Sequence, residues 1–349
     1  MIKGDNMDEI RRERKDQHIE NYLRSEFRSK TLLNNIYVEH NALSDVNFDQ
    51  IDTSIDFMGK KISMPVMVNA MTGGTDISED INEDLSNICR ELNIPMAVGS
   101  QSIALKDMES RESFSLLKEK EDIIKIGNLG WENKLDNFEF AKDLIGASAM
   151  QAHLNVAQEL VMDEGERDFS NNFENLKNIS ENLSTSLIVK EVGFGMSKQV
   201  GQKLIDMGIK YIDVAGKGGT NFIEIEDMRI FDKDYSEFYS WGIPTAKSII
   251  DIRSLSDEVF LIASGGIRNS CDVCKSLIIG ADMTAISGEV LSFLLRGDYD
   301  YALDYLKELQ TKIKLFMALV GAKNIKELKK VPYKVTGRLK ELINEEWEN

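Results

Sequence analysis

A strand-like stretch in the first half of the chain carries side chains that could do chemistry. His153, Asn155, Gln158 and Glu159 lie within seven residues of one another. A buried polar side chain without a partner costs roughly 1 to 3 kcal/mol, so a strand that only filled a core would be apolar. An imidazole, two neutral amides and a carboxylate, followed by further acids, suit a polar ligand with a cation. The stretch therefore predicts a ligand site.

A lysine inside an apolar strand is the second candidate. Lys190 lies within the otherwise apolar run that begins at Leu187. A buried ammonium group needs a partner. On the inner face of a barrel it could meet an anion or an electron-rich ring such as a flavin. The alternative is an outward lysine paired with an acid at the surface.

Glycines cluster directly after several predicted strands, where backbone N–H groups can approach a ligand closely. Any one cluster could be only a tight turn. The two late clusters, which follow the sixth and seventh predicted strands, indicate a phosphorylated cofactor, since phosphate sites in α/β barrels commonly use late loops, those after strands seven and eight. The clusters are residues 71–75, 127–130, 216–220 and 264–268.

Residues 11–18 are rich in basic side chains, although the chain has a formal net charge of -17. Guanidinium and ammonium groups bind diphosphates well, so this segment could act as a clamp that closes over a barrel mouth. The alternative is a solvated face of a surface helix. The overall negative charge opposes nucleic-acid binding, which needs a basic face.

The three cysteines argue against a disulfide framework. Cys271 and Cys274 have the spacing of a redox or metal pair, but no second pair exists and the segment indicates the start of a helix. No apolar run reaches the roughly 18 residues of a membrane span, and the charged N-terminus is unlike a secretory signal. We therefore expect a cytoplasmic protein with no membrane or nucleic-acid partner.

Strand-like runs alternate with segments of helical spacing, which is typical of parallel strands joined by crossover helices. Eight such units predict an α/β fold, a TIM (β/α)8 barrel, with its site at the carboxyl ends of the strands. A doubly wound open sheet is the competing architecture. The predicted strands are 64–69, 96–100, 123–128, 148–155, 187–192, 211–215, 259–264 and 283–287.

We expect a single domain over residues 1–349, because no linker rich in Pro, Gly or Ser interrupts the chain. Residues 1–60 are predicted to form an N-terminal arm or lid, with a helix near 10–28, and residues 61–297 the barrel core. We expect the arm to become ordered only when a ligand binds. Residues 298–349 are predicted to form C-terminal helices, at 298–317 and 325–330, with a further amphipathic element at 333–347.

Together these segments resemble the type 2 isopentenyl-diphosphate isomerase family of FMN-dependent enzymes, over nearly the whole chain. The glycine segments are generic to FMN barrels, whereas the RKDxH-like arm and the HLNxxQE-like segment are specific. The matching segments are Arg14-Lys15-Asp16-Gln17-His18, Met71-Thr72-Gly73-Gly74, Val98-Gly99-Ser100-Gln101, Gly127-Asn128-Leu129-Gly130, His153-Leu154-Asn155 with Gln158-Glu159, Val189-Lys190-Glu191-Val192-Gly193, Gly218-Gly219-Thr220 and Ser264-Gly265-Gly266-Ile267-Arg268.

The resemblance implies interconversion of isopentenyl diphosphate and dimethylallyl diphosphate in isoprenoid biosynthesis, with no net redox change. It implies reduced FMN as the acid and base, Mg²⁺, and NADPH or NADH to reduce the flavin. The protein would then leave the difficult proton transfer to the cofactor and supply positioning. A homo-oligomer, either a tetramer or an octamer, is also expected.

The resemblance also implies roles for individual residues. His153, Gln158 and Lys190 would be catalytic, with Gln158 beside the allylic carbons and Lys190 balancing the anionic flavin. Glu159 would hold Mg²⁺ against the diphosphate. The substrate would contact Arg14, Lys15, Ser100, Gln101, Ser102, His153, Asn155 and Gln158. FMN would contact Ala70, Met71, Thr72, Ser100, Asn128, Lys190, Ala215, Thr220, Gly265, Gly266, Ile267, Arg268, Ser287 and Gly288.

Two positions depart from the family pattern. Ala215 stands where many relatives resemble a serine, so one hydroxyl contact to the flavin phosphate is missing. Gly216 and the amides after it could compensate. Ser102 stands where some relatives carry arginine, which puts a side-chain contact to the diphosphate in doubt.

Other functions are compatible with a flavin barrel. A 2-hydroxy-acid oxidase or dehydrogenase would need a histidine base late in the barrel, but His18, His40 and His153 all lie in the first half of the chain. A nucleotide dehydrogenase would need a reactive cysteine after a central strand, whereas Cys271 and Cys274 follow the seventh. A flavin-binding or prenyl-diphosphate-binding protein without turnover is disfavoured, because every proposed catalytic residue is present.

Overall fold

The β-strands form one closed barrel and two short antiparallel pairs. The computed structural model describes residues 2–25, 29–230 and 232–344, with side chains from Glu13 onward. Its strands are β1 (Ile36–Val38), β2 (Ile55–Phe57), β3 (Lys60–Ile62), β4 (Val66–Val68), β5 (Met96–Ala97), β6 (Lys125–Gly130), β7 (Ala149–Leu154), β8 (Ser186–Glu191), β9 (Tyr211–Asp213), β10 (Phe260–Ala263), β11 (Met283–Ile286) and β12 (Tyr333–Val335).

The barrel consists of β4 to β11, all parallel, in the same order as in the chain. The ring closes where β11 pairs with β4, with Thr284 opposite Val66 and Ile286 opposite Val68. All eight predicted strands are therefore present, and the prediction of a TIM barrel is confirmed. Because the strands are parallel, their carboxyl ends open on one face.

Helices connect the strands and continue beyond the barrel. Within the described ranges they are α1 (Ile2–Arg24), α2 (Asp76–Leu92), α3 (Glu112–Ser115), α4 (Leu135–Ile145), α5 (Val156–Val161), α6 (Asn172–Asn182), α7 (Lys198–Asp206), α8 (Phe222–Asp227), α9 (Thr245–Arg253), α10 (Ser270–Ile278), α11 (Gly288–Arg296), α12 (Tyr299–Val320), α13 (Ile325–Leu328) and α14 (Gly337–Asn344). No helix of these residues is long and apolar enough to cross a bilayer.

Helix α2 shows how the local sequence sets the boundaries of a crossover helix. The Thr75 side chain accepts a hydrogen bond from the Ser78 N–H at the start of the helix, and Asn93 ends it in the left-handed region at φ 50°. Apolar side chains recur every three or four residues between these caps. The buried ones are Ile81, Leu85, Ile88 and Leu92, which pack on the barrel.

A hairpin of β2 and β3 closes the amino end of the barrel. Its Phe57 is 1% exposed, and its ring centroid lies 5.1 Å from that of Phe260 and 6.2 Å from that of Tyr211. Met67 and Ile188 from the barrel strands belong to the same apolar cluster. This apolar plug seals the end of the barrel opposite the polar strand ends.

The C-terminal segment differs from the prediction in one place. Helices α12 and α13 occur where C-terminal helices are predicted, and the amphipathic element predicted at 333–347 contains helix α14 but begins with strand β12. This strand pairs with β1, with Ile36 opposite Val335. A pairing between residues this far apart in the chain leaves no local periodic signal. Residues 345–347 lie outside the described residues.

Helix α1 lies across the carboxyl end of the barrel. Asn21 Nδ2 donates a hydrogen bond to the Ile225 carbonyl at 3.2 Å, and Arg296 donates to the Leu23 carbonyl at 3.1 Å. Between one and two turns earlier in the helix, Thr75 Oγ1 donates to the Asp16 carboxylate at 2.8 Å. A helix is thus present where the arm is predicted, while residues 26–28 of that predicted helix lie outside the described residues. The expectation that the arm orders only with ligand stays a prediction.

Candidate active site

A cavity of about 990 Å³ opens at the carboxyl end of the barrel, beneath helix α1. This volume is typical of a pocket for a small organic ligand or cofactor. The turns after the barrel strands meet there, so residues far apart in sequence share one space. The sequence-predicted residues that line it are Arg14, Lys15, Ala70, Met71, Thr72, Ser100, Ser102, Asn128, His153, Asn155, Gln158, Glu159, Lys190, Ala215, Thr220, Gly265, Gly266, Ile267, Arg268, Ser287 and Gly288.

Gln101 is the predicted site residue that the structure does not place in the cavity. Its side chain is fully buried. Its Nε2 donates to the Ala141 carbonyl at 2.9 Å, and its Oε1 accepts from the Asn128 N–H at 3.0 Å. Both ends of the amide therefore bond backbone groups of β6 and α4, and a contact between Gln101 and the substrate stays a prediction.

Lys15 of α1 reaches down into the turns after β4 and β5. Its ammonium donates to the carbonyls of Gly73 and Ser100, the second at 2.7 Å, and lies 5.5 Å from the centre of the Phe114 ring. Burial, reinforced by the neighbouring Arg14 charge, lowers the pKa of Lys15 to about 7. An incoming anion would favour the charged form and raise this pKa again.

Two more cations lie at the rim. Arg14 Nη1 lies 3.5 Å from the Glu164 carboxylate, so it is held by a weak ion pair. Lys106, in the turn after β5, lines the cavity and is exposed. In the part of the chain that the structure describes, the Lys106 ammonium has no hydrogen-bond or ion-pair partner. It is therefore available to an anionic ligand.

His153 projects from the end of β7. Its Nδ1 lies 2.7 Å from Asn128 Oδ1. Burial, together with the Lys190 and Lys15 charges, lowers the pKa of His153 to about 3, against a smaller opposing effect of the Leu129 carbonyl. The imidazole is therefore neutral at neutral pH and carries one proton.

Lys190 projects from the neighbouring strand, β8. It is 6% exposed, lines the cavity, and donates to the Glu191 carbonyl at 2.7 Å. Burial lowers the pKa of Lys190, while the charges of Asp213 and Glu191 oppose the shift. One carbonyl leaves two of the three ammonium hydrogens for a ligand.

Gln158 lies on α5 and is held by a charged network that the sequence did not reveal. Its Nε2 donates to Glu226 Oε1 on α8 at 2.7 Å, and His18 Nε2 of α1 lies 2.8 Å from the same oxygen. Arg229 also pairs with Glu226. Burial favours a higher pKa for the Glu226 carboxyl, but these partners lower it to about 2. The carboxylate therefore stays charged and fixes the orientation of the Gln158 amide.

Acidic and amide groups collect around the start of α5. Asn155 Nδ2 donates to Glu159 Oε1 at 2.6 Å, whereas the buried Asn155 Oδ1 has no partner among the described residues. Burial raises the pKa of Glu159, and burial with the charges of Glu159 and Glu166 raises that of Glu132 to about 7. Clustered carboxylates with raised pKa values favour a cation.

Glycine-rich turns after β9 and β10 form the opposite wall. Gly265 and Gly266 have φ of 90° and 79°, which glycine adopts without strain. A Cβ on Gly219 would lie 2.7 Å from the Gly266 nitrogen, so the two turns pack backbone against backbone. Arg268 Nη2 bridges them by donating to the Gly218 carbonyl at 2.7 Å. Helix α11 begins beside them, with its N-terminal N–H groups at the cavity.

Comparison with known proteins identifies the family. The FMN-dependent dehydrogenase family model matches residues 127–333. An isopentenyl-diphosphate delta-isomerase of Bacillus pumilus is 39% identical over 94% of this chain and 92% of its own length. A second, from Listeria welshimeri, is 36% identical over 97% and 96%. The chain belongs to the type 2 isopentenyl-diphosphate isomerase family. The resemblance drawn from the motifs is thereby confirmed.

Solved structures share the fold of this type 2 isomerase family member. A flavocytochrome b2 with sulfite bound matches with a TM-score of 0.66 and 17% identity, over 95% of this chain and 85% of that one. A mandelate oxidase with (S)-mandelic acid matches with a TM-score of 0.64 and 16% identity, over 88% and 89%. At this identity the likeness concerns the barrel fold alone.

The two departures from the isomerase family pattern now have a structural setting. Ala215 has φ of 32°, an unusual backbone conformation for a residue other than glycine. The Gly216 N–H already donates to the Ser264 carbonyl at 2.9 Å, and compensation for the missing hydroxyl by Gly216 and the amides after it stays a prediction. Ser102 Oγ lies 2.9 Å from Ser100 Oγ. Lys106, whose ammonium has no partner among the residues that the structure describes, lines the same cavity and offers a positive charge in place of the arginine of the family pattern.

Sequence reasoning missed Glu226 and Lys106. Glu226 is an acid beside Ile225 in the short helix α8, and such a residue is usually exposed, yet here it is fully buried. Lys106 carries no local signal. The remaining histidine and the cysteines lie away from the cavity: His40 and Cys271 are exposed, and Cys89 and Cys274 are buried, with the pKa of each of these two thiols raised by burial.

Proposed function

We propose that this chain interconverts isopentenyl diphosphate and dimethylallyl diphosphate by a 1,3 allylic proton shift with reduced FMN. The observation that carries the proposal is that one cavity is lined by two sets of groups whose chemistry suits a phosphate. The glycine turns with Arg268 and the start of α11 form one set. Arg14, Lys15 and Lys106 form the other. A phosphorylated cofactor and a phosphorylated substrate would occupy them together.

The residues around the glycine turns fit FMN. Backbone N–H groups near Gly265 and Gly266, the start of α11 and the Arg268 guanidinium suit its phosphate. Lys190, a buried cation with free donors, suits the negative charge of a reduced flavin ring. Reduced FMN, when bound, would supply the proton donor and acceptor for the alkene and stabilise positive charge on it.

The chain's own residues position the substrate against that chemistry. Arg14 and Lys15 bind the diphosphate, with Ser100, Ser102 and His153 beside it, while α1 covers the mouth and limits access of water. Gln158, held by Glu226, presents a neutral amide to the hydrocarbon. A neutral amide does not trap a carbocation-like species as a carboxylate would. The protein thus contributes orientation and fixed charge.

The residues near α5 fit Mg²⁺ bound through the substrate. Mg²⁺ prefers oxygen ligands and commonly binds one or two carboxylates together with phosphate groups. Glu159 supplies the carboxylate, and the unpartnered Asn155 Oδ1 could accept a hydrogen bond from a metal-bound water. No group of three or more His, Cys, Asp or Glu side chains that could hold a metal occurs among the described residues.

Several accompanying features are part of the proposal. NADPH or NADH would reduce the flavin before isomerisation, as the family resemblance implies. A tetramer or octamer would be the working assembly, and the cytoplasm the compartment. Each is open to direct measurement, by reductant preference in anaerobic assays, by the solution mass of the purified protein, and by fractionation of cells.

The test is turnover with flavin reduced without oxygen. The purified protein is supplied with FMN, reduced anaerobically, and given isopentenyl diphosphate and Mg²⁺ in deuterated water. Dimethylallyl diphosphate carrying deuterium is expected, because protons enter from solvent. Absence of this product with fully reduced flavin would reject the proposal. Oxidation of a 2-hydroxy acid by the oxidised flavin would favour the alternative oxidase function instead.

A further inference from the structure

Five side chains form a continuous hydrogen-bond relay across the inside of the barrel. Asn69 Nδ2 donates to Asp213 Oδ2 at 2.8 Å, and Gln151 Nε2 donates to Asn69 Oδ1 at 2.9 Å. Asn128 Nδ2 donates to Gln151 Oε1 at 2.7 Å, and Asn128 Oδ1 faces His153 Nδ1 at 2.7 Å. The relay therefore links β9, the end of β4, β7 and β6, and it ends at the cavity.

The direction of this relay is set at its far end by two independent groups. Asp213 is fully buried, and its Oδ1 accepts from Ser264 Oγ at 2.6 Å and from the Ala215 N–H at 3.1 Å, so it acts as an acceptor. The Ala70 N–H donates to Asn69 Oδ1 at 2.9 Å, which fixes which end of the Asn69 amide is oxygen. The amides of Gln151 and Asn128 must then have the same orientation along the relay, each with its NH₂ group toward the preceding oxygen and its own oxygen toward the next donor.

We propose that this relay fixes His153 in the tautomer that carries its proton on Nδ1, with Asp213, Asn69 and Gln151 as positioning residues. Asn128 Oδ1 can only accept, so Nδ1 must donate. The opposite tautomer would require all three amides to turn round. Asn69 would then aim its oxygen at the Asp213 carboxylate and its NH₂ group at the Ala70 N–H. Both contacts would be repulsive and buried, and such contacts are strongly avoided.

The tautomer determines whether His153 donates or accepts a hydrogen bond when a ligand binds. With Nδ1 occupied by Asn128, the nitrogen left for a ligand is Nε2, which then carries a lone pair and accepts a hydrogen bond. A diphosphate oxygen would have to bring a proton or a metal-bound water to this position. This consequence rests on the proposed function, whereas the tautomer itself does not depend on which ligand fills the cavity.

The proposal is tested by the proton position on His153 in the full-length protein labelled with ¹⁵N histidine. The chain has three histidines, so the signals of His153 are those that disappear in His153→Gln. A two-bond ¹⁵N–¹H correlation spectrum distinguishes the two tautomers. We expect the Nδ1–H form in the natural protein at neutral pH. Observation of the Nε2–H form would overturn the proposal, whatever the isomerase assay shows.

Matched substitutions separate the relay from general packing. Gln151→Met removes both hydrogen bonds of a fully buried amide, and frees Asn128 to turn, so a mixture of tautomers is expected. Asn82→Leu removes a second buried amide, which lies on α2, donates to the Ser113 carbonyl and bonds no member of the relay, so the tautomer should stay unchanged. A mixture in both variants, or in neither, would overturn the proposal.

Gln151→Glu provides a conservative variant that keeps an acceptor toward Asn128. Burial favours the protonated form of a carboxyl at this position, which can accept from Asn128 Nδ2 with its carbonyl oxygen and donate its O–H to Asn69 Oδ1, as the Gln151 amide does. The Nδ1–H tautomer should therefore persist, and its loss in Gln151→Glu would count against the relay. If Gln151→Met does not fold, the natural protein and this variant still decide the question.

Discussion

The two ends of the barrel each contain a buried lysine, and the two are used differently. Lys125, at the amino end of β6, is 4% exposed and donates to the carbonyls of Leu117 and Lys118 at 2.9 and 3.1 Å. Lys190, at the carboxyl end of β8, has one carbonyl partner and faces the cavity. Burial lowers the pKa of both. The two lysines differ in the ammonium N–H groups that make no hydrogen bond within the protein. Only those of Lys190, at the carboxyl end, are available to a ligand.

The surroundings of the two lysines differ in the same way, since only those at the carboxyl end leave room for a ligand. At the amino end the apolar plug around Phe57 fills the space between the strands. At the carboxyl end polar side chains, glycine turns and α1 enclose a cavity. Side chains at the amino ends of the eight strands thus stabilise the fold, whereas those at the carboxyl ends are available to contact a ligand. Substitutions at the two ends should therefore change different measured quantities.

The largest effect is expected from the plug itself. Phe57→Ala removes a fully buried ring, and such changes cost about 3–5 kcal/mol of unfolding free energy. The activity per folded molecule should stay close to that of the natural protein, because Phe57 lies at the end opposite the cavity. Urea unfolding and kcat corrected for the folded fraction measure the two quantities. A fall in kcat with unchanged stability would contradict the division between the ends.

The two lysines provide a crossed test of the same division. Lys190→Met should lower kcat by about 10²–10³-fold, the usual cost of one charge-stabilising donor in an active site. Lys125→Met should leave kcat nearly unchanged but lower the unfolding free energy by about 1–3 kcal/mol, since it removes two hydrogen bonds from a charged donor to the Leu117 and Lys118 carbonyls. Steady-state kinetics and denaturant unfolding on both variants give the four values. The same pattern in both variants would remove the contrast.

Loss of the proposed metal ligand should give a smaller effect that depends on Mg²⁺. Glu159→Gln keeps the shape of the side chain but removes its charge, so we expect a decrease of about 10–100-fold in apparent Mg²⁺ affinity. Titration of activity with Mg²⁺ measures it. In the natural protein this affinity should rise with pH, because burial raises the pKa of Glu159 and only the ionised form binds the cation.

The exposed Glu166 provides the control for that measurement. Its side chain lies near the same turn but is open to solvent. Glu166→Gln should leave the apparent Mg²⁺ affinity close to that of the natural protein. Equal losses in the two variants would mean that general negative charge, rather than Glu159 itself, attracts the metal.

The smallest expected effect concerns Lys15, and it is a change in how KM for the diphosphate substrate depends on pH. Its pKa of about 7 means that the free protein loses this positive charge as the pH rises. Affinity for the diphosphate should therefore fall above about pH 7, by at most about tenfold per pH unit. Lys15→Arg keeps a charge that does not titrate in this range, so its KM should vary less with pH. A KM profile of the same steepness in Lys15→Arg would exclude Lys15 as the titrating group.

Much of the fold could be predicted because the sequence patterns that indicate its strands and helices are local. The barrel strands are short apolar runs separated by helical spacing, and the turns after them carry glycine, so Lys190 and the stretch after His153 could be placed at the strand ends. The pairing of β1 with β12 could not, because it joins Ile36 to Val335 and no local pattern encodes it.

The site was harder to predict in detail, because the use of a side chain depends on its three-dimensional partners. Gln101 and Gln158 carry the same amide group. Both ends of the Gln101 amide bond backbone groups, whereas Gln158 lines the cavity and donates to Glu226. The burial of Glu226 follows from contacts with α1 and α5, which are distant in sequence. The motifs therefore indicated where the cavity would be, but not which polar groups are already occupied within the fold.

The position of α1 over the cavity also makes its docking a late step of folding. The partners of this helix lie far apart along the chain, near residues 73, 100, 225 and 296. The helix therefore cannot make all of its native contacts until these four segments have come together. The barrel strands between them can pair with one another before the lid docks. The cavity is thus covered only after the barrel that lines it has formed.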